Sequence, residues 1–114
     1  MSNVYTLNID AGATFTRQFE YLNDDGTPFD LTDYSALFQI RLKPNSDLVL
    51  ESVPTIDVET ATVSLTLTAE ETALLTQPGY VYGIELIHTT EEPVIRLIGG
   101  YVLVSAEVVR VEAV

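Results

Sequence analysis

The chain has 114 residues, no cysteine and a net charge of −12, from seventeen acids against five bases. That length favours one domain, residues 1–114, able to bury a core without staples. The composition excludes disulfides and thiolate chemistry, and its charge opposes binding to nucleic acid or to anionic membranes.

In chain order, the N-terminal "MSNVYTLNID" has no basic region and no long apolar run, so it does not read as a signal peptide. Within it Tyr5, Leu7 and Ile9 alternate with polar residues. "TFTRQFEYL" places Phe15, Phe19 and Tyr21 on one face, with Arg17 among them. "NDDGTPFDLTDY" is turn chemistry, built on Asp-Gly and Thr-Pro. "ALFQIRLK" sends Ala36, Phe38, Ile40 and Leu42 one way, and Leu37, Gln39, Arg41 and Lys43 the other. "DLVLES" is a short strand, and "SVPT" reads as a break. "TATVSLTLT" sets Ala61, Val63, Leu65 and Leu67 against a Thr/Ser solvent face.

One segment departs from the period of two. In "TAEETALLTQPG", Thr68 is an N-cap with Glu71 three residues on, followed by Ala73, Leu74 and Leu75. This capping box predicts one short helix near 69–76, ended before Pro78. The last pair of strands is "GYVYGIELIH" and "VIRLIGGYVLVS", joined through "TEEP". The whole reads as all-β: a small sandwich of about seven or eight antiparallel strands with one short helix.

Glu85 and Arg96 stand inside these two apolar runs. If Thr89 pairs with Val94, Ile87 lies opposite Arg96 and Glu85 opposite Ile98. Glu85 and Arg96 then share a face as diagonal neighbours, about 7–8 Å apart. This makes them a structural ion pair that fixes register. The opposite face, with Tyr80, Tyr82, Ile84, Leu86, Ile95, Leu97, Tyr101 and Leu103, is the expected core side.

Chemistry finds little footing. His88 is the only histidine, and no second ligand is suitably spaced for zinc. There is no GxSxG elbow, Walker loop or dinucleotide glycine pattern. "NDDGT" lacks the ligand order of a calcium loop, leaving Asp24, Asp25, Asp30 and Asp33 only weak recruits for a divalent ion. Tyr80, Tyr82 and Tyr101 suggest a carbohydrate platform less well than they suggest core. The expected catalytic, cofactor and metal sets are therefore empty, and the chain reads as no enzyme.

Four phrases together carry a resemblance: "GATFTRQFEYLNDDGTPFDLTDYSALFQIR", "VSLTLTAEETALL", "GYVYGIELI" and "VIRLIGGYVLVSAEVVR". They resemble the small β-sandwich domain of tailed-phage and prophage virion proteins, similar to the N-terminal domain of baseplate upper proteins. The likeness runs from about Ile9 to Arg110. Gly83 stands where the pattern is acidic, and Val109-Arg110 replaces its closing Thr-Arg.

The resemblance implies an immunoglobulin-like sandwich and a non-enzymatic role as a tail, baseplate or fibre-adaptor connector. It implies partners among other virion proteins, a homo-oligomer or symmetric array, and assembly in the host bacterial cytoplasm. Capsid decoration or a head–tail neck role is an alternative, and a stand-alone carbohydrate-binding sandwich another. Leu37, on an otherwise polar face, and the apolar tail positions Val109, Val111 and Val114 are the expected interface.

Overall fold

The computed structural model describes residues 3–88 and 94–105. Among them are nine strands and one helical turn. The strands are β1 (Asn3–Val4), β2 (Leu7–Asp10), β3 (Phe15–Glu20), β4 (Tyr34–Arg41), β5 (Leu48–Ser52), β6 (Thr55–Asp57), β7 (Thr62–Leu67), β8 (Gly79–His88) and β9 (Val94–Ser105). The helix α1 (Ala69–Thr72) lies between β7 and β8.

Two sheets form. The larger runs β1-β9-β8-β4-β5, with β2 also against β9, and the smaller runs β3-β7-β6. Their inner faces supply one core. Phe38, Ile40, Ile84 and Leu86 of the larger sheet meet Phe19, Val63, Leu65 and Leu67 of the smaller. The chain is thus all-β in two packed layers, as the alternation predicts.

The structure adds to and corrects the expected elements. Three-residue β6 occupies the end of the "SVPT" break and pairs with β7. The N-terminal strands are not antiparallel: β1 and β2 run parallel to β9, with Asn3 opposite Ile98 and Leu7 opposite Val102. Between them the chain kinks at Tyr5, which is 45% exposed rather than part of an alternating strand.

Gly100, at φ +154°, lies beneath that kink. A Cβ there would overlap the Tyr5 carbonyl oxygen and come within 3.1 Å of its nitrogen. The Tyr5 amide donates to the Gly99 carbonyl at 3.0 Å. Its carbonyl accepts the Tyr82 hydroxyl at 3.0 Å. Leu42, expected to point the same way as Ala36, Phe38 and Ile40, is exposed, because β4 ends at Arg41.

The helix is shorter than the expected 69–76. Its capping box forms as the sequence predicts, with the Glu71 amide donating to Thr68 Oγ1 and the Thr68 amide to Glu71 Oε1. After Ala73 the chain tightens: Leu74 and Leu75 donate to carbonyls only three residues back, and the turn stops ahead of Pro78. Thr72 is fully buried. Its hydroxyl donates to the Ala13 carbonyl at 2.8 Å and accepts the Gly12 amide at 3.0 Å, pinning the β2–β3 turn to α1.

β3 forms one edge of the smaller sheet. Arg17 is aligned with the inner-face residue Leu65 yet remains exposed. Its guanidinium carbon lies 6.0 Å from the centre of the Phe19 ring.

Candidate interaction surface

The outer faces of the two sheets differ. On the smaller sheet, cross-strand partners are Thr16 with Thr66, Gln18 with Ser64, and Ser64 with Thr55. That face is hydroxyl-rich from edge to edge, the expected solvent side of an alternating strand.

The larger sheet is unlike it. Outward positions on β8 are Gly79, Val81, Gly83, Glu85 and Ile87, all half-buried. Their partners on β4 place Arg41 beside Val81, Gln39 beside Gly83, Leu37 beside Glu85 and Ser35 beside Ile87. Their partners on β9 place Leu103 beside Gly79, Tyr101 beside Val81 and Gly99 beside Gly83. Tyr101 is 60% exposed and Leu103 52%. Apolar side chains and glycines therefore dominate this face on β8 and β9, while β4 adds Leu37 among Ser35, Gln39 and Arg41.

This reverses the expected sidedness of β9. Ile98 and Val102 are buried, whereas Tyr101 and Leu103, expected in the core, face out. The cause is register. Ile84 pairs with Ile98 but Glu85 pairs with Arg96, so β9 spends one extra residue at a bulge. A one-residue slip exchanges the faces of everything beyond it.

On the loop side of that bulge the register differs from the expected one by two residues, which keeps the shared face of Glu85 and Arg96 but changes their partners. Glu85 lies directly opposite Arg96, and Ile87 opposite Val94, instead of one diagonal step away. The ion pair itself rests on the Arg96 side chain, which lies outside the described residues, as do Thr89, Val109, Val111 and Val114. Leu37 is described: it is half-buried on the outer face and cross-strand from Glu85.

Polar groups within this face are tied to one another. Gln39 Nε2 donates to Glu51 at 2.6 Å, and Arg41 donates to Gln39 Oε1 at 3.0 Å. A second Arg41 nitrogen donates to the Ser46 carbonyl at 2.8 Å. This chain of bonds crosses β5 and β4 and engages the local charges without help from solvent.

The other candidates have local explanations. Tyr80 and Tyr82 are buried: the Tyr80 hydroxyl accepts the Gln77 amide and the Tyr82 hydroxyl holds Tyr5. Burial pushes the Tyr82 hydroxyl up to about 12, with nearby Arg17 opposing and Tyr5 reinforcing the shift. Tyr101 does not share their face, so the three rings form no common platform.

"NDDGT" is a hairpin turn. Gly26, at φ +87°, donates to the Asn23 carbonyl, and the Asn23 amide donates to the Thr27 carbonyl. Asp25 accepts the Thr27 hydroxyl and amide, which hold its carboxyl below the usual range. Asp30 is lowered too, first by its bond with Thr32. Among the described residues, no three acidic, histidine or cysteine side chains converge as a metal set. His88 packs edge-on against Tyr34, with ring centres 5.0 Å apart. No helix among the described residues is long and apolar enough to cross a membrane.

No protein-family model matches the chain, and no curated protein matches it.

Proposed function

We propose that this chain is a non-enzymatic structural component of a tailed-phage virion. It serves as a tail, baseplate or fibre-adaptor connector with an immunoglobulin-like sandwich, and acts through protein–protein contacts. One observation carries the contact reading: the contrast between the two outer faces. The chain makes a fully polar exterior on β3 and β7, yet leaves Tyr101, Leu103, Val81 and Leu37 on the exterior of the larger sheet. Contiguous exposed apolar surface of this kind marks an interaction site. The virion assignment is supported by the sequence phrases that resemble baseplate upper proteins. The carboxylates of Asp25 and Asp30 and the hydroxyls of Tyr80 and Tyr82 are all committed to structural bonds.

The test is electron cryo-microscopy of intact particles from the source, combined with mass spectrometry of their proteins. Density for a two-sheet domain in the tail or baseplate is the expected outcome. Density on the capsid or at the neck would move the chain within the particle. Purified particles without the chain would refute the virion role.

A further inference from the structure

The apolar exterior of the larger sheet has relief as well as composition. Gly83 and Gly99 are cross-strand partners at its centre. The row on one side carries Tyr101 and Val81, and the row on the other carries Glu85 and Leu37. Same-face rows lie about 7 Å apart along a strand. The glycine pair is therefore the floor of a trough one side chain deep, and Gln39 and Glu51 close its far end.

The fold itself makes no demand for this floor at position 83. A Cβ on Gly83 would meet only the Ile98 carbonyl oxygen, at an ordinary 3.9 Å. Glycine within a strand is also unfavourable relative to alanine. Strand glycines mark a bulge, a bend or the close approach of another group; the bulge here falls at Ile84/Glu85, past Gly83 itself.

We propose that this trough receives an aromatic or branched apolar side chain of a separate partner protein, flanked there by lysine or arginine. The inference rests on the reading that this chain works through protein contacts. Electrostatics selects the partner. The chain carries −12 overall. Glu51 stands at the end of the glycine row, and Glu85, with the backbone of Arg96 directly opposite, forms part of one bank. Arg41, the cation described on this face, is held by Gln39 and the Ser46 carbonyl. A second copy would set −12 against −12, whereas a basic segment is drawn to the trough as its apolar residue is desolvated. The Glu51–Gln39–Arg41 bonds hold these side chains in place along the end of the trough.

The experiment is a titration of the isotopically labelled chain, followed by amide NMR, with three short peptides: Lys-Phe-Lys, Lys-Ala-Lys and Glu-Phe-Glu. Saturable shifts at Val81, Gly83, Gly99 and Tyr101, with none on β3 or β7, are expected for Lys-Phe-Lys alone. The Gly83→Leu variant fills the trough and should weaken that binding at least about tenfold while the chain still melts cooperatively. Equal shifts with Glu-Phe-Glu, no saturable shift with any peptide, or unchanged affinity in Gly83→Leu would overturn the proposal. So would a Gly83-dependent dimer in sedimentation equilibrium, which would make a second copy the occupant.

Virion incorporation of Gly83→Leu separates the two levels. A chain present in particles whose variant incorporates normally refutes the trough and spares the virion role. Trough binding by a chain missing from particles does the reverse.

Discussion

Replacing Gly100 by alanine should be among the most damaging single-methyl changes in this chain. Two effects combine. At φ +154° a non-glycine residue carries backbone strain on the order of 1–3 kcal/mol. The new methyl also overlaps the Tyr5 carbonyl, which must then leave the Tyr82 hydroxyl it accepts. A buried hydroxyl deprived of its partner costs about 1–3 kcal/mol. The total is about 2–6 kcal/mol, and for a domain of this size each kcal/mol shifts Tm by about 4 °C.

Thermal and urea melts followed by circular dichroism should therefore place Gly100→Ala about 8–24 °C below the parent. The urea m-value should be unchanged. Tyr82→Phe isolates the hydrogen bond and should lose only about 0.5–1.5 kcal/mol. Gly83→Ala, whose Cβ has room, controls for the general effect of alanine in a strand and should be neutral or slightly stabilising. If Gly100→Ala melts within about 2 °C of the parent, the reasoning about the Tyr5 kink is wrong. If Gly83→Ala loses as much, the penalty has nothing to do with Tyr5.

Thr72→Val removes a hydroxyl that serves both the Gly12 amide and the Ala13 carbonyl, and should cost about 1–3 kcal/mol, whereas Thr72→Ser keeps both bonds and should cost less; equal losses would argue for packing over hydrogen bonding. Tyr82, raised by burial to about 12, favours the folded state fully below its unfolded pKa near 10. That contribution is lost as pH rises through 12, so an ultraviolet phenolate titration of the parent minus Tyr82→Phe should show a step near 12. A step near 10 would mean that the hydroxyl is solvated. Glu85→Ala and Arg96→Ala, combined in a double-mutant cycle, should couple by about 0.2–1 kcal/mol, since the two backbone positions are directly opposite. Strict additivity would remove the ion pair.

Much of the fold can be read from local pattern because four strands mix apolar with polar residues at a period of two. Leu7, Ile9, Phe19, Phe38, Ile40, Val63 and Leu65 are all inside as that alternation dictates. The capping box of Thr68 and Glu71 is equally local, and it forms. β9 defeats the same method. It is apolar on both faces, so periodicity cannot say which side is buried, and one bulged residue decides the matter. Parallel pairing of β1 and β2 joins the two ends of the chain, and no short window of sequence contains that information. The candidate surface was legible at Leu37, which contrasts with Ser35, Gln39 and Arg41. It was illegible at Tyr101 and Leu103, whose outward direction depends on that register. The glycines at 79, 83 and 99 were the available signal, since strands rarely keep several without a use.

Arg17 bears on what this domain can tolerate at high local concentration. An unpaired strand edge is a template, and a neighbouring chain that docks there can start an open-ended stack. Here a strand added beside β3 would meet an inward-aligned guanidinium in mid-strand. It would have to desolvate that cation or swing it off the Phe19 ring. Many copies held close together can then each offer the apolar sheet face to a partner without zipping to one another along this edge. A single inward cation thus separates ordered association from fibre growth, and replacing it with valine would remove the barrier while leaving the core pattern intact.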